Sequence, residues 1–195
     1  ILILLTVGLA TLSLQHLGRV DLLGNLSNEQ AKENFSPLFN QDLRATSHVV
    51  IETADQAKMA FFFDPNNGLW FGTKPWKDRA DGPKAIEKLI LFALNAEIQD
   101  HLEVNEETIK ELGFDKTAVH ARFKNSLNDT IADFSIGKSS AWKKKIEGKE
   151  EILIPTVYLR LKNKGANDHI YLCTDTTGDI HSLFEDKFRA FRDHR

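Results

Sequence analysis

The apolar positions change spacing several times along the chain, and each spacing predicts a different element. HVVIET, KMAFFF and LWFGT are short runs rich in β-branched and aromatic residues, and DPNNG after the second is a turn signal. Together they predict an antiparallel meander over residues 47–73. In ADGPKAIEKLILFALNAEI the period lengthens, because Ile86, Leu89, Ile90, Ala93, Leu94 and Ile98 fall on one helical face. Asp81 is placed to cap that helix and Pro83 fits its first turn. NEETIKELGFD predicts a short second helix, capped by Asn105 and stopped at Gly113. VHARF and TIADFSIG read as strands around NSLND, and ILIPTVYLRLK and HIYLCT as strands around NKGAND, with Pro155 favouring an edge or a bulge. The end, GDIHSLFEDKFRAFRDHR, returns to a helical period through Ile180, Leu183, Phe184, Phe188 and Phe191. Its EDKFRA loosely echoes QDLRA at 41–45, which would make residues 45–195 the first of a tandem pair.

The N-terminal pattern differs from all of these. ILILLTVGLATLSL carries no charge over its 14 residues, against about 20 for a membrane-spanning helix and about 7–15 for a signal-peptide core. The chain starts at Ile1 without Met or a basic leader, so residues 1–18 are expected to be a truncated transmembrane anchor or signal-like helix. Residues 19–44 turn polar and Asn-rich and predict a linker. The expected fold class is therefore α+β: an antiparallel strand meander and hairpins packed against one long amphipathic helix, preceded by a hydrophobic N-terminal helix.

Composition narrows the function classes. With 42% apolar and 27% charged residues the chain belongs among folded proteins, and a net charge of -3 gives no basic field to attract nucleic acid. Cys173 stands alone, which excludes an internal disulfide framework and a cysteine-rich zinc site. The seven histidines show no metal spacing; His101 and Glu103 form an HxE triplet, but no PCxxC follows it. GxSxG, Walker and GxGxxG motifs are absent, so no catalytic residue and no cofactor is implied.

Two stretches carry candidate binding chemistry. GLWFGTKPWKDRADG sets Trp76 beside Asp78 and Arg79, which suits either a sugar or peptide site or a joint between strand and helix. Asp78 and Asp81 are too close on a turn for the separated carboxylates of a glycosidase. AWKKKIEGKEE sets Trp142 beside three lysines, which suit an anionic surface but are offset by Glu147, Glu150 and Glu151. Asn25 and Asn128 begin glycosylation triplets, a pattern that arises often by chance.

Several short motifs occur in an order that resembles the bacterial membrane-anchored family designated domain of unknown function 4340. They are Trp70, Pro75 and Ala80-Asp81 before the helix, then Leu112-Gly113-Phe114, Ile136-Gly137, Tyr158-Leu159-Arg160 and Arg192-Asp193. Arg79 stands where that family usually has proline, and the KKKIEGKEE loop is longer than typical. The resemblance implies an extracytoplasmic domain held at the bacterial inner membrane by its N-terminal helix. It also implies protein partners in an envelope complex, of ABC-type transport or gliding motility. It implies no reaction. The reading that follows is a non-catalytic accessory or scaffold domain; the alternative is a ligand-binding module, for example for cell-wall glycan, that uses exposed tryptophans.

Overall fold

A computed structural model describes residues 38–39, 42–53, 57–115, 118–144, 152–162, 169–185 and 189–193. The chain divides into two units, residues 1–36 and 37–195, and only the second contains described residues. Eight strands form one antiparallel sheet: β1 (His48–Glu52), β2 (Lys58–Asp64), β3 (Leu69–Lys74), β4 (Ile98–Glu103), β5 (Val119–Lys124), β6 (Thr130–Lys144), β7 (Ile152–Leu161) and β8 (His169–Thr174). Their order across the sheet is β3-β2-β1-β5-β6-β7-β8-β4.

Two consecutive runs, β1 to β3 and β5 to β8, each pair in chain order, and β1 joins them by pairing with β5. Only β4 departs from chain order. It follows β3, one edge of the sheet, yet pairs with β8 at the other. The helical segment between them carries the chain from edge to edge. It begins as a π turn, Gly82–Ile86, and continues as α1, Glu87–Leu94. Asp81 caps its start, accepting from the Lys84 N–H at 3.1 Å. Ala85, Ile86, Leu89, Phe92 and Ala93 are buried beneath it. A second short helix, α2 (Glu106–Glu111), opens on a capping box between Asn105 and Thr108.

The fold is therefore mostly β, and the α+β description with one long amphipathic helix is corrected. The helical segment has 13 residues. It stops because Asn95 leaves helical geometry, and Ile98, which matched the helical face, belongs to β4 and pairs with Cys173. At the C-terminus no long helix forms either. The Asp175 carboxylate accepts from the Thr177 N–H, the Thr177 hydroxyl and the Ile180 N–H, which folds the chain into a turn with Gly178 at φ +81°. Short 3-10 turns at His181–Leu183 and Arg189–Phe191 follow. Ile180, Leu183 and Phe191 still reach the core, through separate turns; Phe188 lies outside the described residues.

Among the described residues no helix is long and apolar enough to cross a membrane, so the expected transmembrane helix finds no support there. The segment expected to form it, residues 1–18, lies outside the described residues. Leu38 and Leu43, at the end of the stretch read as linker, are buried in the second unit.

The core is aromatic at its centre. Phe61, Phe92, Phe123, Phe134 and Phe191 are all fully buried, with Ile51, Ile86, Leu89 and Leu159 among them. Alternation sorts β5 cleanly: Val119, Ala121 and Phe123 face the core, and His120, Arg122 and Lys124 face the opposite side.

Candidate functional site

The segment around Trp76 is a joint. β3 ends at Lys74, and the chain then folds back along its own outer edge: the Gly72 N–H donates to Asp78 O at 2.8 Å and the Ala80 N–H to Trp70 O at 2.9 Å. Two glycines make that return possible. A Cβ on Gly72 would lie 3.1 Å from Trp76 Nε1, and one on Gly82 would lie 2.6 Å from Trp70 Cδ1. The Trp76 ring is half-buried and meets the Phe61 ring edge-on at 6.3 Å.

Asp78 and Arg79 serve the same joint. Arg79 Nε donates to Asp193 Oδ2 at 2.9 Å, while Arg192 Nη2 lies 3.7 Å from Asp78 Oδ2, so two Asp-Arg neighbours cross-pair. Backbone contacts run between them: the Asp81 N–H donates to Phe191 O at 3.0 Å, and Ala80 bridges Arg192. The Asp193 side chain is buried and that of Arg79 half-exposed, so their ion pair carries more weight than the solvent-exposed pair of Asp78 with Arg192. These residues fasten the C-terminal segment to the exit of β3.

Trp142 lies far from them in the fold. β5 accompanies β6 only to Ile136, and the Lys138 N–H then donates to Leu112 O at 2.8 Å. From Ser139 to Lys144, β6 pairs with β7 alone, with Trp142 opposite Ile154 and Lys143 opposite Leu153. The two strands form a ribbon arm that runs past the ends of their neighbours. Its apolar side chains are open to solvent: Leu153 is 66% exposed and Ile152 42%. Trp142 is half-buried and Lys143 exposed.

The structure also assembles a polar cluster that the sequence does not single out, on the sheet face opposite the core. His120 pairs with Ser135 across β5 and β6, and Arg122 pairs with Asp133. Ser135 Oγ lies 3.2 Å from His120 Nδ1. Asp133, buried, receives Arg122 Nε at 2.9 Å on one oxygen. His120 Nε2 approaches its other oxygen at 2.8 Å without hydrogen-bond alignment. The signal was the alternation itself: His120 and Arg122 are two apart, as are Asp133 and Ser135. What the sequence does not contain is the register that sets one pair against the other.

Serine, histidine and aspartate in a row suggest a hydrolytic relay, but the electrostatics differ from one. A relay carboxylate stabilises the imidazolium that forms during reaction. Here Arg122 already shares Asp133, and burial pushes the His120 pKa down, outweighing the attraction of Asp133, with Lys162 and Arg122 adding repulsion. Ser135 also sits mid-sheet between His120 and Arg160, where backbone N–H groups serve the strand ladders instead of converging on an oxyanion. The cluster acts as a register pin, since a slip of one residue would turn His120 and Arg122 into the core.

That pin has a pH signature. A histidine whose folded pKa lies below its unfolded value destabilises the fold when protonated, so its stability is present above about 6.5 and is lost as pH falls through the folded pKa. Urea denaturation across this window is expected to give stability that rises with pH, with a flatter profile in His120→Gln. An unchanged slope in that variant would remove His120 as the cause.

Among the described residues no group of three or more His, Cys, Asp or Glu side chains is placed to hold a metal ion. Cys173 is buried, and desolvation pushes its pKa up to about 12, so the thiol is inert. No family model matches the chain, nor does any curated protein or solved structure.

Proposed function

We propose that this chain is a non-catalytic interaction domain, an accessory or scaffold element of a larger assembly, which engages a protein partner through the β6–β7 arm. The observation that carries this reading is the arm's exposure of Ile152 and Leu153 on strands that have outrun their neighbours. Apolar side chains on an open ribbon gain free energy only when something covers them, at roughly 25 cal/mol per Å² buried. The tryptophan-based glycan reading draws less support: Trp70 is 4% exposed, Trp76 belongs to the joint, and only Trp142 stands on the arm.

Two substitutions test the proposal. A photo-cross-linking residue at Leu153, activated in cells of the source organism, is expected to give one discrete protein adduct, which Ile152→Asp abolishes while the melting temperature stays unchanged. Heterogeneous adducts, or one indifferent to Ile152→Asp, would overturn it. The family resemblance suggests looking for that adduct among export or motility components.

A further inference from the structure

The turn between β2 and β3 holds the only Asn-Gly step in the sequence, Asn67 followed by Gly68. Residues 65–68 are all exposed. The Asn67 side chain is nevertheless held at both of its polar atoms. Its Oδ1 accepts from the Leu69 N–H, two residues on, at 3.0 Å, which is an Asx-turn, and its Nδ2 donates to Asp64 Oδ2 at 2.9 Å. Gly68 takes φ +70°, and nothing lies within 4 Å of the place a Cβ would occupy on it.

We propose that this turn is a site of self-modification, in which Asn67 loses its side-chain ammonia through a cyclic imide and becomes aspartate or isoaspartate. An Asx-turn folds the side-chain amide back along the following peptide group, which turns Asn67 Cγ toward the Gly68 nitrogen. Glycine matters there because it has no Cβ to shield that nitrogen. In the ring-closing step the Gly68 nitrogen bonds to Cγ and gives its proton to water. Negative charge gathers on Oδ1, the atom to which the Leu69 N–H already donates. The Cγ–Nδ2 bond then breaks as Nδ2 takes a proton from water and leaves as ammonia, and a further water opens the imide at either carbonyl. One bond opposes the attack: the Gly68 N–H donates to Asp64 O at 2.9 Å and must open first. At an exposed loop tip such openings cost little. The product sets a carboxylate where Asn67 had offered Asp64 a donor, and isoaspartate lengthens the main chain of a turn that fixes the β2–β3 register.

The whole chain, incubated at mildly alkaline pH and mapped by peptide mass spectrometry, is expected to deamidate at Asn67 well ahead of Asn125 and Asn128, whose following residues are Ser126 and Asp129. Isoaspartate must be among the products, because only the ring yields it; aspartate alone would mean direct hydrolysis and overturn the proposal. Asp64→Ala, which releases Nδ2, should slow the reaction several-fold in the native chain. Asp64→Asn, which keeps an acceptor for Nδ2, should restore it, and all three chains should react alike in urea, where the turn is gone. Native Asp64→Ala reacting as fast as the unsubstituted chain would reduce the effect to the bare Asn-Gly step and overturn the turn's part in it. Asn67 staying intact in the native chain while it converts in urea would show that the Gly68 to Asp64 bond guards the site, and overturn the proposal outright.

Discussion

Phe61→Ala is expected to destabilise the domain by about 3–5 kcal/mol, the range for removing a buried aromatic ring from a core that cannot collapse around the gap. Phe61 is 2% exposed and joins three parts of the molecule. It pairs with Val49 across β1 and β2, its ring stacks on Phe191 of the C-terminal segment at 5.4 Å, and its edge meets Trp76 at 6.3 Å. Deleting the ring withdraws support from the joint and from the segment fastened to it. Chemical denaturation should show the lost stability, and tryptophan fluorescence of the native state should shift to the red as Trp76 gains solvent. A loss below about 1 kcal/mol would mean that the neighbours repack freely, contrary to the close packing that cores of this kind show.

Gly137→Ala comes next, with an expected loss of about 1–3 kcal/mol, the cost of overpacking a site that has no room. A Cβ there would lie 2.5 Å from Leu112 O and 2.7 Å from Phe114 Cζ. Neither neighbour can easily retreat. Leu112 O already accepts from the Lys138 N–H at 2.8 Å, Gly113 turns the chain at φ +79°, and Phe114 is buried. The same contact marks where β6 leaves β5 and the arm begins, so Gly137→Ala should also lower the protection of residues 138–144 from hydrogen exchange. Full stability together with unchanged exchange would contradict the close approach.

Three of the short motifs meet distant parts of the chain. Trp70 lies against Gly82 beside Ala80-Asp81; Leu112-Gly113-Phe114 lies against Gly137; Arg192-Asp193 lies against Asp78 and Arg79. In these three cases a short motif meets residues distant in the chain. Read singly they are short and unspecific, and paired they are the points where the chain is fastened to itself. Their chemistry is that of close packing and ion pairing.

The sequence by itself determined seven of the eight strands and the two helix starts, but neither β4 nor the turns that replace a C-terminal helix. Period-two runs between turn clusters place the strands, because alternate side chains of a strand face opposite sides whatever strand lies beside it. Asp81 and Asn105 mark helix starts, because a capping bond spans only three residues. The tertiary structure decided where those elements stop and what they touch. Ile98 satisfied the helical period, and pairing with β8 made it a strand residue. Ile180, Leu183 and Phe191 share a helical spacing, yet Asp175 holds the backbone in a turn and each reaches the core separately. Trp76, Asp78, Arg79 and Trp142 were visible as unusual residues, but their division between a joint and an arm depends on the return of the chain along β3 and on where β5 ends. The His120–Asp133 pin depends on register between two strands. Pairing partners, register and exposure are relations between residues far apart in the chain, and burial free energy, which the whole core shares, selects among them.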